Sequence, residues 1–349
     1  MKTISLCLIV KDETDYLKNC LNSVKDIMDE IVIVLTSNNK DTETIAKNYT
    51  NKVYNFKWIN DFSAARNFAF SKATSDYIMW LDADDILTDL NADKLKEAKT
   101  KIDDSIDYYS MIYDYGSGLT FRRNRIVKRE KNFKWIGFIH EYVNCYGSTT
   151  DLDITVTHTR VHSNGTRNLD TFEYHKALGT PFSSRDTFYY ARELYYNERY
   201  DDAIENFNKF LSIPDIWSED KFDAFIKLSE CYKAKNEKDK ELDTLFQTYK
   251  VFPRAEAIYR IGNIFMGKGQ YDTAIYFFES IFNLEIPETK GFITKDMWDF
   301  LPYLQLCVCY YKKGNIDKSY EYHLKTKSLK PKNQSVKTND VFFKSIMKK

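Results

Sequence analysis

The chain has 349 residues, 43% of them apolar, and balances 51 Lys and Arg against 51 Asp and Glu. Balanced charge leaves no net field to draw it to nucleic acid or an anionic membrane, and no stretch approaches the ~20 apolar residues of a membrane span. The length predicts two or three domains, and the six scattered cysteines, of which only Cys307 and Cys309 lie close, lack CxxC spacing and predict reduced thiols in a soluble, cytoplasmic protein.

The first apolar run, Ile4–Val10, is short, meets Lys11 and Asp12, and lacks a small-residue cleavage site, so it reads as a strand rather than a secretory segment. A helix around Asp15–Lys25 follows, with Tyr16, Leu17, Cys20, Leu21 and Val24 on one face. The alternation continues through a strand at Glu30–Leu35, a helix near Asp41–Tyr49, a short strand near Lys52–Phe56, a helix around Phe62–Ser71 and a strand at Tyr77–Leu81. Buried strands alternating with amphipathic helices predict an α/β domain whose mainly parallel sheet carries helices on both faces. In such sheets ligands sit beyond the carboxyl ends of the strands. There the Tyr77–Leu81 strand delivers Asp82, Asp84 and Asp85, three carboxylates in four positions. Charge crowded beside a core needs compensation, and a divalent cation with a phosphorylated ligand supplies it; an Asp run after a strand also opens turns and caps helices.

From about residue 185 the strand signal disappears. Arg185–Leu211 places Ala191, Leu194, Tyr195, Tyr200, Ala203, Phe207 and Leu211 at the spacing of a helix–turn–helix pair, and Ile261, Phe265, Tyr271, Ala274 and Phe278 repeat it. The step from Tyr200 to Tyr271 is close to twice the ~34-residue period of tetratricopeptide units. Phe222–Phe252 and Leu301–Leu329 supply two further pairs, which predicts an all-α repeat stack with a peptide-binding groove; an ordinary helical bundle is the other reading. The degenerate 330–349 tail shows no polar cap, which points to a homodimer through the last repeat.

Five motifs in order, SLCLIVKDE at 5–13, DEIVIV at 29–34, DFSAARN at 61–67, LDADD at 81–85 and WIGFIHE at 135–141, make the chain resemble the nucleotide-sugar glycosyltransferases of family two. The likeness is to the branch that joins a GT-A catalytic domain to a tetratricopeptide domain, here 1–170 and 171–349. What the resemblance implies is specific. Mn2+ or Mg2+ would neutralise the departing diphosphate, with Asp84 as direct ligand, Asp82 serving the ribose or the metal's water shell, and Ala83 between them at the donor. His158, in the strand-like ITVTHT, would complete the coordination sphere, a buried hydrogen-bonded histidine being its other reading. Glu141 is the candidate general base of an inverting transfer, with His140 orienting it or the acceptor and Asp85 in reserve. Asp61, Arg66 and Asn67 belong to the donor pocket on this likeness, and Val10, Lys11 and Glu13 to the edge that meets the nucleotide.

Arg122, Arg123 and Arg125 form a basic run in reach of diphosphate or acceptor, though most of such a run is ordinarily solvated. Arg167-Asn168 resembles the pair at the hand-over to the repeats. One departure is substantive: an acid that relatives carry after the second strand is Leu35 here, which shifts base recognition toward Thr36 or Asn38. The resemblance implies transfer of N-acetylglucosamine or glucose from a UDP-sugar to Ser or Thr of a polypeptide such as flagellin. A bacteriocin precursor modified on Cys or Ser, a lipopolysaccharide or capsule glycan as acceptor, and an inactive transferase-fold scaffold are the alternatives.

Overall fold

The computed structural model describes residues 1–116, 120–160, 165–287 and 293–346. The chain divides into two compact units, Met1–Thr180 and Pro181–Lys349.

The first unit runs β1 (Ile4–Val10), α1 (Thr14–Val24), β2 (Glu30–Leu35), α2 (Lys40–Lys47), β3 (Val53–Asn55), α3 (Phe62–Phe70) and β4 (Tyr77–Trp80), as the alternation predicts. It continues with β5 (Asp85–Ile86), α4 (Asp89–Thr100), β6 (Tyr108–Asp114), β7 (Thr120–Lys128), β8 (Trp135–Ile136), β9 (Tyr142–Val143), β10 (Thr149–His158) and α5 (Arg167–Ala177). The main sheet has the order β3-β2-β1-β4-β7-β6-β10-β5, while β8 and β9 pair separately. Strands β3, β2, β1 and β4 are mutually parallel, and β6 runs parallel to β10. The sheet is more mixed than the early alternation implies. Strand β7 is antiparallel to both β4 and β6, and β5 is antiparallel to β10. The connection from β6 to β7 is too short for a parallel crossover, so a reversal is the pairing open to it.

Each face of the sheet buries its own apolar set. Ile4, Leu6, Leu8 and Val10 pack with Ile31, Ile33 and Met79 against Leu17, Leu21 and Val24 of α1. On the other face Cys7, Val32, Val34 and Trp80 pack with Ala69 and Phe70 of α3 and with Trp135. This period of two sets which side chains at the strand ends point up to the site. The first unit reaches past residue 170 because α5 belongs to it. Phe172 is fully buried, its ring 5.2 Å from that of Phe138, and His175 stacks on Phe138 at 3.9 Å.

The second unit is helical: α6 (Ser184–Tyr196) with α7 (Tyr200–Leu211), α8 (Ser218–Ala234) with α9 (Lys238–Gln247), α10 (Ala255–Gly267) with α11 (Tyr271–Ser280), and α12 (Phe300–Lys312) with α13 (Ile316–Leu329), followed by α14 (Gln334–Ile346). Each pair turns on a residue with positive φ: Glu198, Asn236, Gly269 and Gly314. In every case the next helix starts two residues later, so one left-handed C-terminal turn is reused through the stack. Tyr200 and Tyr271 occupy equivalent places, each opening the second helix of its pair. Gly262 lets α10 and α11 approach closely, since a Cβ there would lie 2.5 Å from the Phe278 ring. These are tetratricopeptide-like helical hairpins.

Helix α14 buries Val336 and Phe343 and leaves Lys337, Thr338, Lys344 and Ser345 exposed, together with Val341. All six cysteines are free thiols. No helix among the described residues is long and apolar enough to cross a membrane.

Candidate active site

The site is assembled where β1, β2 and β4 end. Strand β4 stops at Trp80, and the chain turns through Asp82–Asp85, closed by Asp85 N–H donating to the Asp82 carbonyl at 3.0 Å. The Asp84 carbonyl accepts from Thr159 N–H and from the Thr159 hydroxyl, at 2.9 and 2.7 Å. The antiparallel register then sets His158 opposite Asp85. Two segments whose paired residues, Asp85 and His158, are 73 positions apart in sequence thus become one site through ladder geometry.

The three acids of the turn differ. Asp85 is fully buried, and its carboxylate accepts from Arg125 Nη1 at 3.0 Å, from the Tyr113 hydroxyl at 2.9 Å and from Asp82 N–H at 3.0 Å. This engagement removes it from consideration as a reserve base, because it is covered on every side. Asp82 is partly exposed, and its Oδ1 accepts from Arg66 Nη2 at 2.6 Å. Burial raises its pKa, but the Arg66 and Arg125 charges outweigh that and hold it below the usual carboxylate range. Asp84 is buried and, among the described residues, its carboxylate accepts no hydrogen bond; Arg160 lies 3.9 Å away and His158 Nδ1 3.6 Å away. Burial, with the Asp82 charge beside it, pushes Asp84 up to about 6.

Asp84, Asp85 and His158 place ligand-type atoms within 4.8 Å of one another. Since Asp85 is engaged, the donors that could hold a cation are the Asp84 carboxylate and the His158 imidazole. His158 is raised: burial lowers it, but the Asp85 and Asp84 carboxylates, 3.7 and 3.6 Å from its Nδ1, prevail.

Arg66 and Asn67 have roles that spacing alone does not reveal. Arg66 is buried between the rings of Trp80 and Trp135, 5.2 and 4.6 Å from its guanidinium carbon. Its Nε donates to Glu141 Oε1 at 2.7 Å while Nη2 holds Asp82, so one guanidinium ties two acids together. Asn67 exchanges two hydrogen bonds with the backbone of Trp135, at 2.9 and 3.0 Å. It braces the segment that carries Glu141. Asp61 is likewise local: it caps α3, accepting from Ala64 N–H and the Ser63 hydroxyl. His140 sits before Glu141 with φ of 50°, in the left-handed region, its ring 6.3 Å from that of Phe172.

Where β1 and β2 end, Val10 is buried, and its carbonyl accepts from both the backbone N–H and the hydroxyl of Thr36. Lys11 is exposed beyond it, and Glu13 pairs with Arg160. Ala83 is buried in the turn. Leu35 is buried in the core, and Asn38 is exposed in the loop after it. The basic run is not mainly solvated: Arg125 is fully buried, 3.9 Å over Trp80 and 4.5 Å over Tyr113, and Arg123 lies 5.2 Å over Trp80. Arg122 is exposed, as a solvated residue would be. Arg167 lies over Phe62 at 5.5 Å in the first unit. Motif reasoning missed Tyr113, and it placed Arg125 toward diphosphate or acceptor whereas Arg125 is the buried partner of Asp85. The signal was an Arg interleaved with apolar positions in a central strand, which demands a buried acid.

Residues 5–164 match the family model described as Glycosyl transferase family 2. The match falls within the α/β unit, which thus resembles a family 2 glycosyltransferase domain and is followed in this chain by tetratricopeptide-like repeats. The SPbeta prophage-derived glycosyltransferase SunS of Bacillus subtilis (strain 168) is 28% identical over 231 residues, 60% of this chain and 53% of SunS. A TPR repeat-containing protein of Synechococcus elongatus is 46% identical over 87 residues, 25% of this chain and 22% of that protein. The chain thus spans about half the length of one of these relatives and about a fifth of the other. Among solved structures, YrrB, described as a TPR protein with an unusual peptide-binding site, is 18% identical with a TM-score of 0.38, over 50% of this chain and 82% of that one.

Proposed function

We propose that the protein is a metal-dependent, inverting glycosyltransferase that moves one sugar, N-acetylglucosamine or glucose, from a UDP donor to Ser or Thr of a polypeptide. The observation that carries the reading is Asp84: a buried carboxylate at the carboxyl end of the central strands, raised toward neutrality and accepting no hydrogen bond among the described residues. Held with His158, it would bind Mn2+ or Mg2+, which would supply charge neutralisation of the leaving diphosphate. Asp82, oriented by Arg66, would take the donor's ribose.

Glu141 is the group suited to the acceptor. Arg66 holds its Oε1, which leaves Oε2 to take the proton of an attacking hydroxyl. The repeats support a polypeptide acceptor because stacked helical hairpins present pockets along a groove rather than a site for one sugar. Nucleotide sugars are made in the cytoplasm, where this reading places the protein.

Hydrolysis of a panel of nucleotide sugars, with Mn2+ and with chelator, tests the donor half. Metal-dependent turnover of one UDP-sugar that disappears in Asp84→Ala is the expected result. No turnover and no nucleotide binding would favour the scaffold alternative. Glu141→Gln on Ser and Cys forms of one peptide tests the base, since a thiol's pKa lies nearer neutrality and needs less help.

A further inference from the structure

Around the Asp82–Asp85 turn lies a buried layer centred on Asp85. One of its oxygens, Oδ2, accepts from Asp82 N–H and from Arg125 Nη1, both at 3.0 Å, and so pins the start of the turn to strand β7. The other, Oδ1, accepts from the Tyr113 hydroxyl at 2.9 Å, and that hydroxyl lies 3.1 Å from His158 Nδ1. A tyrosine has one hydroxyl proton, and here it goes to the carboxylate, so the Tyr113 oxygen is the acceptor of its contact with His158 Nδ1. The ring of His158 is thereby oriented from β6, and the acidic turn from β7, by the same carboxylate.

We propose that Asp85 and Tyr113 are positioning residues that arrange Asp84 and His158 for a divalent cation before it binds. The inference rests on the metal reading above and adds to it a cause for the site's geometry. Groups that hold metal ligands through hydrogen bonds ordinarily change metal affinity 10–100-fold when removed. Asp85 has a further constraint, because it is the acid beside the buried Arg125, and removing one member of such a pair strands the other charge. Asp85→Asn is therefore expected to impair folding, and Tyr113→Phe, which deletes one oxygen and keeps the ring, is the informative variant.

The test is titration of the full chain with MnCl2, with and without UDP, reading free Mn2+ by electron paramagnetic resonance. Tyr77→Phe is the control. That residue is also fully buried, and its hydroxyl bonds the carbonyls of Asp103 and Ile106 at 2.9 Å, with no link to the acidic turn. Tyr113→Phe is expected to weaken Mn2+ binding by about tenfold while Tyr77→Phe leaves it unchanged. Equal Mn2+ affinity in Tyr113→Phe and the parent would overturn the inference and leave the metal reading standing, as would an equal loss in both variants, which would show a merely structural effect. A parent that binds no Mn2+ would overturn the metal reading and the inference with it.

Discussion

Asp84 and Arg66 show how the candidate site spends stability. The Asp84 carboxyl is raised from 3.8 to about 6, chiefly by burial. The folded protein therefore holds that proton more tightly than the unfolded chain, and stability is lost as pH rises from about 4 through about 6. Above that range the ionised group costs on the order of 1–3 kcal/mol. Asp84→Asn should raise the melting temperature of the chelator-treated protein at pH 7.5 and have little effect at pH 4. Mn2+ should stabilise the parent and not the variant, and thermal melts at both pH values check each part. Arg66 has the opposite character: Arg66→Ala leaves Asp82 and Glu141 without their shared cation and should cost about 3–5 kcal/mol. Arg66→Lys keeps the charge but loses the planar fork. It should fold yet transfer sugar at least about tenfold more slowly, measured as kcat on a hydroxyl acceptor.

At the scale of elements, α3 is the organiser. Its amino end is capped by Asp61, its interior supplies Arg66 and Asn67, and all three act on other protein groups. The period of helix and strand placed this helix to within a residue, yet it could not say that Asn67 bonds the Trp135 backbone. Partners 68 residues away are set by how the helix lies on the sheet. Among the repeats, Gly262 is where local and tertiary preferences conflict. Gly→Ala within a helix ordinarily stabilises by about 0.5–1 kcal/mol, but here the new Cβ would lie 2.5–2.9 Å from atoms of the buried Phe278 ring. Gly262→Ala should therefore destabilise the protein by about 1–3 kcal/mol, read from denaturant melts, and Gly262→Ala with Phe278→Leu should recover part of the loss.

For the whole molecule, the division at residue 180 makes a prediction about truncation. A fragment ending at 180 keeps Phe172 and His175 against Phe138, whereas one ending at 170 exposes that aromatic cluster. Loss of a buried Phe side chain alone costs about 3–5 kcal/mol. The 1–180 fragment should melt cooperatively and retain metal-dependent hydrolysis of the donor, while 1–170 should melt lower or aggregate. If the repeats carry the acceptor, 1–180 should fail to modify a polypeptide that the full chain modifies, which mass spectrometry of the acceptor reads directly.

The amino-acid sequence by itself determined the order and type of the early elements, the repeat of helical hairpins and the acidic turn at the end of β4, because periodicity and turn chemistry are local properties. It also carried the family resemblance through five short motifs. Only the tertiary structure decided which acids are exposed and which are covered. Asp82, Asp84 and Asp85 are near neighbours in sequence, yet one pairs with Arg66, one accepts no hydrogen bond among the described residues, and one lies buried against Arg125 and Tyr113. Those differences arise from strands β6, β7 and β10, whose pairing is non-local, and a carboxylate's chemistry follows from the charges and dielectric that such pairing places around it.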